Sequence, residues 1–344
     1  MKNYHDLLQD ILDNGHTHED RTGVGRRSVF ARELRFDLSE GKFPLVTTRK
    51  VFVRGMIHET LMMLHGRADA AAALEANGVN IWRAWTPTLA DAHAFVEKLS
   101  TGVGVANTPL DFQLRFTALY LDAPEIDGES PETEDTLKAM FAPEVGTIGK
   151  MYGAIWRGNY DMGNGQKGPD QLADLIEALK TNPYSSRHTV TAQVPALLPL
   201  PAFSPQENVL LGRGALAPCH CYFQCFVSPA LPGQTKLRLS LKIQIRSSDV
   251  PVGLPYNISQ YALIAMVLAQ CTDMTVHELI VSIGDAHIYT DQLDLVRIQL
   301  ERSPLALSTL RINPTKAHLA DFTPEDFTLE NYTFHPAIHY PVAT

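Results

Sequence analysis

Apolar residues recur three and four positions apart in KNYHDLLQDILDN, which predicts an amphipathic helix over residues 2–14 ending at Gly15. From 21 to 38, RTGVGRRSVFARELRFDL carries a glycine turn and then apolar–polar alternation, the pattern of hairpin strands. Helical spacing returns in VFVRGMIHETLMMLHG (51–66), where Ile57, Leu61 and Leu64 share a face and Gly66 marks the end. Between about Thr86 and Val145 the pattern gives way to acidic, Pro and Gly residues with a few apolar positions, an inserted subdomain or long excursion rather than core. Order resumes at GTIGKMYGAIWRGNY (146–160) and in PDQLADLIEALKTNP (169–183), a helix stopped by Asn-Pro. RHTVTAQV (187–194) reads as a strand, and 195–214 as a second Pro/Gly-rich insertion. CHCYFQCFVS and KLRLSLKIQIRSS alternate as strands able to pair, whereas ISQYALIAMVLAQC (258–271) is apolar almost all round and reads as a buried helix. The expected architecture is α/β (α+β): one domain over 1–344, a mixed sheet flanked by helices, with insertions at about 87–145 and 194–213.

Composition narrows the class. Of 344 residues, 45% are hydrophobic and 19% charged, as in a globular protein. A net charge of -9 argues against a basic nucleic-acid binder, but leaves room for local arginines to hold a small anion. Four cysteines, three of them bunched, do not form an extracellular disulfide framework. The first segment lacks a signal peptide's apolar core, and no apolar run is long enough to span a bilayer, so a soluble cytoplasmic chain is expected.

LAPCHCYFQC (216–225) holds three cysteines. A zinc site wants four converging ligands, usually from CxxC knuckles on turns, whereas here the spacing is CxC in a strand and Cys271 is distant. With a period of two, Cys219, Cys221, Phe223 and Cys225 point one way and His220, Tyr222 and Gln224 the other. Cys221 and Cys225 then read as strand filling. Cys219 differs: Pro218 precedes it, so it starts the strand, where a thiol reaches a cleft. A nucleophilic thiol needs positive charge nearby, and the stretch offers only His220.

That charge has candidates elsewhere. QIRSSDVPVGLPYNIS (244–259) ends a strand with Arg246 and Ser247, suited to a phosphate, and continues through a loop with Asp249, Gly253 and Asn257. Asn257 presents a donor and an acceptor, as the edge of a pyrimidine requires. Arg21 and Arg187 are further anion contacts, although a solvated surface role fits any one arginine taken alone. Glu59 lies beside His58 on the 51–66 helix; it is either a helix edge or, if partly buried, a proton shuttle. In GDAHIY, His287 and Tyr289 share a strand face, as a core pair or as donors to a ligand. The set suggests cysteine addition to an anionic, polar ring.

RTGVG, LRFDL, FPLVTTRK, RGMIHETL, YGAIW, LAPCHCYFQ, RSSDVPVGLPYNIS, GDAHIY and the ending HPAIHYPVAT resemble the thymidylate synthase family, in family order and over nearly everything except 87–145 and 194–213. The resemblance implies that Cys219 adds to C6 of the uracil of dUMP, making C5 nucleophilic toward the methylene group of 5,10-methylenetetrahydrofolate. It implies phosphate contacts from Arg21, Arg246 and Ser247, with Arg187 donated by the partner of a homodimer. Asn257 would read the uracil edge; the related cytidylate hydroxymethylases carry aspartate there. His287 and Tyr289 would meet the deoxyribose, with Gln224 also on the nucleotide side. Glu59 would relay protons and Tyr152 would help remove the C5 proton. Arg49, Trp82, Asp249, Gly253, Tyr256 and the carboxylate of Thr344 match folate-side positions. No metal, membrane or DNA partner is implied.

This chain departs from the family pattern at several points. The family's SRR is Ser185-Ser186-Arg187, Trp-Asp is Trp82-Arg83, a strand-ending tryptophan is Gln193, QRS is Ile245-Arg246-Ser247, and the last residue is Thr344. Arg83, Arg157 and Lys50 are candidates to replace the arginine missing at 186. Hydride transfer needs a dry site, and polar residues at the closing surface admit water. The departures therefore tip the expectation narrowly toward a dUMP hydroxymethylase over a thymidylate synthase, although Trp82 is retained. A non-catalytic nucleotide- or RNA-binding paralogue and a metal-dependent hydrolase are the other readings.

Overall fold

The computed structural model describes residues 1–19, 23–67, 70–100, 108, 112–113, 140–162 and 165–342. Two compact units divide them: the first takes Met1–His65, Asp170–Thr191 and Cys219–Thr344, the second Gly66–Pro169 and Ala192–Pro218.

The first unit opens with α1 (Lys2–Asn14), which buries Tyr4, Leu7, Leu8 and Ile11 on the face that the spacing predicted. β1 (His16–His18) pairs with β2 (Arg26–Asp37), so the hairpin's first strand precedes the segment expected to hold both. Residues 26–37 form one long strand because β2 is zipped along its length to β7. After β3 (Lys42–Phe43) comes α2 (Val53–His65), and Gly66, at φ +62°, turns the chain out of it in the left-handed conformation that glycine adopts without a steric cost. α3 (Gln171–Thr181) is capped by the Asp170 side chain, which accepts from the Ala173 N–H.

β4 (Thr189–Thr191), β5 (His220–Ser228), β6 (Arg238–Asp249) and β7 (Thr275–Tyr289) complete the main sheet, in the order β1-β2-β7-β6-β5-β4. β4 is shorter than the strand expected over 187–194 because its ladder ends opposite Tyr222, where β5 bulges. All neighbours are antiparallel except β6 and β7, which run parallel. That pairing requires a crossover, supplied by α4 (Leu254–Cys271). α4 is buried almost all round, packing on β6, β7 and α2, and its side chains from Ile258 to Ala269 form the centre of the core. It starts four residues before the expected position, with Pro255 in the first turn, where its missing N–H has no intrahelical partner to lose. Asn257 is therefore a first-turn helical residue, not a loop residue. α5 (Leu293–Leu300), β8 (Ser308–Ile312) and β9 (Phe327–Glu330) finish the unit; β3, β8 and β9 form a small antiparallel sheet.

The second unit has a core of its own. The helix Leu89–Ser100 packs its Ala92, Phe95, Val96 and Leu99 with Phe112, Met140, Phe141, Phe203 and Leu210. The helix Pro205–Leu210 starts with a capping box made by Ser204 and Glu207, and Glu207 also pairs with Lys98 at 2.7 Å. The two stretches read as separate insertions thus build one apolar cluster. Their aromatic residues lie too far apart in sequence for periodicity to join them.

Candidate active site

The parallel β6–β7 register brings the chemistry-bearing residues together at one end of the sheet. Ser247 lies opposite Asp285 and Asp249 opposite His287, while on the other side of β7 Ser28 faces His287 and Arg26 faces Tyr289. On β6's opposite edge, the Arg246 N–H donates to the Cys219 carbonyl at 2.9 Å, which sets Cys219 just before β5 begins. The Arg246 guanidinium then stands 3.8 Å from the Cys219 Sγ. Burial pushes the Cys219 thiol above its usual range, and the Arg246 charge opposes that shift. This is the cation that the cysteine stretch itself lacked.

His220 is not that cation. A bulge between His220 and Tyr222 breaks the alternation of β5, so the expected common face of Cys219, Cys221, Phe223 and Cys225 does not form. His220 instead joins Phe223 against the Tyr261 ring of α4, at 5.3 and 5.9 Å between centroids. Burial drives its pKa down to about 4, so it is neutral at pH 7. Cys225 is buried with its thiol pushed up to about 12, and Cys221 is half-buried, its Sγ 3.5 Å from the Cys219 carbonyl. All four cysteines are free, and no group of three or more metal-ligating side chains occurs among the described residues.

A polar line runs inward from this cluster. Asn257, whose side chain interacts with that of His220, donates to Gln260 Oε1 at 3.4 Å; Gln260, 2% exposed, donates to Glu59 Oε2 at 2.6 Å. Glu59, on α2, is half-buried. Asn257 and Glu59 are thus joined through Gln260, which the sequence reading missed. Its signal was its position, one α-helical turn after Asn257 on an otherwise apolar helix.

On β7, His287 is 3% exposed; its Nδ1 lies 3.2 Å from Asp285 Oδ1, and Asp285 is paired with Arg26 at 2.8 Å. The His287 and Tyr289 rings meet edge to face at 5.2 Å. Asp249 Oδ1 accepts from the Val252 N–H and its Oδ2 from Gln292 Nε2, and burial is the main cause of its raised pKa.

Beside Asp249 lies an open cleft of about 370 Å³ lined by Arg49, Lys50, Phe52, Val252, Tyr256 and Tyr340. Arg49 is buried: it donates to the Pro251 carbonyl at 2.6 Å, lies 5.5 Å from the centre of the Tyr340 ring, and keeps its Nε without a partner among the described residues. Aromatic walls and two cations fit an aromatic, anionic co-substrate. Gly253 precedes the first turn of α4, and a Cβ there would make only ordinary contacts, so the backbone does not itself require glycine.

Some expected residues stand elsewhere. Gln224 pairs with Thr189 of β4 and donates to the Ser186 carbonyl. Arg187 is exposed, and its guanidinium makes no hydrogen bond or ion pair among the described residues. Arg21 and Thr344 lie outside the described residues. Trp82 and Tyr152 belong to the second unit, where their rings are 6.4 Å apart, Trp85 abuts Trp82 and Trp156 abuts Tyr152. Tyr152 has φ +38°, a conformation costly for a side chain of its size. Arg83, a candidate for the missing phosphate arginine, faces Glu75 at 3.8 Å.

The family model described as thymidylate synthase matches residues 2–344. Thymidylate synthases of three strains of Francisella tularensis subsp. holarctica (FTNF002-00 / FTA, OSU18 and LVS) are each 37% identical to this chain over 338 residues, covering 98% of this chain and 98% of theirs. With matches of that length and the expected nucleophile set against an arginine, the chain belongs to the thymidylate synthase family.

Proposed function

We propose that this chain reductively methylates dUMP to thymidylate, releasing dihydrofolate. As a member of the family it is a one-carbon transferase acting on dUMP, with methylenetetrahydrofolate as co-substrate. The observation that carries the residue assignment is the Cys219 Sγ facing the Arg246 guanidinium at 3.8 Å. Cys219 adds to C6 of the uracil, and the electron pair released to C5 attacks the methylene carbon. Arg246 and Ser247, with Arg21, hold the phosphate. Asn257 reads the pyrimidine edge, its link through Gln260 orients the Glu59 carboxylate, and Glu59 itself relays protons to and from the pyrimidine. His287 and Tyr289 meet the sugar, Tyr152 helps remove the C5 proton, and Trp82 shields the intermediate. Arg49, Asp249, Gly253, Tyr256 and Thr344 serve the folate. Methylenetetrahydrofolate supplies the one-carbon unit and the hydride.

Two observations favour hydride over water in the last step: full-length relatives carry the name thymidylate synthase, and Trp82, the residue expected to shield the intermediate, is retained and packs against the Trp85 and Tyr152 rings. The second reading, water capture to 5-hydroxymethyl-dUMP, is favoured by the polar residues Arg83, Gln193 and Thr344 where the family is apolar or acidic. Incubation with both substrates separates them. The expected result is thymidylate by mass and an equal yield of dihydrofolate by absorbance. A product heavier than thymidylate by one oxygen, without dihydrofolate, would establish the hydroxymethylase reading instead.

The same reading makes the protein a homodimer in which Arg187 reaches the partner's phosphate site. The exposed, unengaged Arg187 supports it, as do Phe30 and Phe226, 78% and 67% exposed on β2 and β5. Mixing unfolded and refolded Arg187→Ala and Cys219→Ala chains is expected to restore turnover that neither has alone, since one hybrid site keeps both groups. No recovery would mean that each chain supplies its own arginine. No helix among the described residues is long and apolar enough to cross a membrane.

A further inference from the structure

Gln292 ends the short 3-10 turn that links β7 to α5, and it is completely buried. A buried amide is costly unless its polar atoms are satisfied. Here Oε1 accepts from the Tyr289 N–H at 3.1 Å, while Nε2 donates to Asp249 Oδ2 at 3.0 Å and to the Pro341 carbonyl at 2.9 Å. The orientation of the amide is forced: turned over, its oxygen would face a carboxylate and a carbonyl, both acceptors, and its NH₂ would face an N–H. One side chain thus joins three elements of the site: the strand end bearing His287 and Tyr289, the carboxylate of Asp249, and the chain's last segment.

That last segment is held at several points. The His335 N–H donates to the Thr47 carbonyl, Arg302 to the Pro336 carbonyl, and the Tyr340 hydroxyl to Gln299 Oε1 at 2.7 Å. Gln299, also completely buried, lies seven residues after Gln292, two helical turns along the same face. Two buried glutamines on one helical face therefore clasp the consecutive residues Tyr340 and Pro341, and only Gln292 also holds Asp249.

We propose that Gln292 is a positioning residue that couples docking of the 335–342 segment to the orientation of the Asp249 carboxylate, and so sets the affinity for folate. This rests on the reading of Asp249 as a folate-side group. When the segment is docked, Pro341 takes one N–H and fixes the amide, leaving the second N–H aimed at Asp249. When the segment lifts, the amide loses a partner and Asp249 its orientation. Folate binding, which needs that carboxylate placed, in turn favours the docked segment; the linkage runs in both directions.

The test is the pair Gln292→Met, which keeps the volume without the amide, and Gln292→Glu, which keeps the shape but turns a carboxyl toward Asp249. Wild type must first show folate-dependent turnover; if it does not, the functional reading fails and the coupling with it. Each variant is assayed for dUMP affinity by calorimetry, KM for methylenetetrahydrofolate, and release of C-terminal residues by carboxypeptidase in the presence of dUMP and folate. The expected result is a folate KM raised at least about tenfold, dUMP affinity within about twofold, and faster release of the tail, with Gln292→Glu the more severe. An unchanged folate KM in either folded variant overturns the proposal. So does a loss of dUMP affinity that matches the loss for folate, because the amide would then act through Tyr289 on the sugar strand.

Discussion

Turnover of the Cys219→Ala variant is expected to fall by at least about 10⁴-fold, with dUMP affinity retained. The Cys219 thiol stands 3.8 Å from the Arg246 guanidinium, whereas Cys221, the neighbouring thiol, turns its Sγ toward the Cys219 carbonyl. Without a bond to C6, C5 does not become nucleophilic, and neither the methyl nor the hydroxymethyl product forms. Single-turnover assays with labelled methylenetetrahydrofolate measure the loss, and calorimetry with dUMP shows that the nucleotide site survives. Turnover within about tenfold of wild type would remove Cys219 as the nucleophile. It would revive the reading of the chain as a nucleotide-binding relative.

The Arg246→Gln variant tests two roles of one side chain. Loss of a charge-assisted phosphate contact is expected to raise the KM for dUMP about 10–100-fold. The second role appears in the pH profile. Burial raises the Cys219 pKa and Arg246 pulls it back, so deleting the charge moves the thiol further up. The thiolate fraction at neutral pH then falls, and the limb of kcat/KM that rises with pH shifts to higher pH. Arg246→Lys keeps the charge but not the planar fork, so it is expected to fall between wild type and Gln on both measures. A raised KM with the limb unmoved would mean that Arg246 binds phosphate while another cation serves the thiol.

Local pattern was enough where an element is decided by its own residues. α1, α2 and α3 were visible in their spacing, and α4 in its unbroken apolar run, although Pro255 extends it past the point where periodicity alone would start it. Cys219 stood out because a proline precedes it, and Arg246, Ser247 and Asp249 because they follow a strand. What could not be read is non-local. The bulge at His220 leaves no trace in the alternation, so His220 and Cys221 were assigned to the wrong faces. Gln260 and Gln292 looked like ordinary polar residues, since their importance lies in partners some 200 and 40 positions away. The second unit's core escaped because Phe95 and Phe203 meet only in three dimensions.

The long pairing of β2 with β7 has a consequence for how the protein acquires its activity. Arg26 and Tyr289 come from opposite ends of the chain, and the parallel β6–β7 register cannot form until α4 has crossed over. Closing such large loops is entropically slow, so these ladders form late in folding. Nucleotide affinity is then expected to report complete folding: fragments and early intermediates should lack it, and dUMP, binding the finished sheet, should stabilise the native state. The mass-action relation makes that stabilisation about 2.7 kcal/mol at a hundredfold excess over Kd. Refolding yield and resistance to proteolysis are therefore expected to rise together with dUMP concentration.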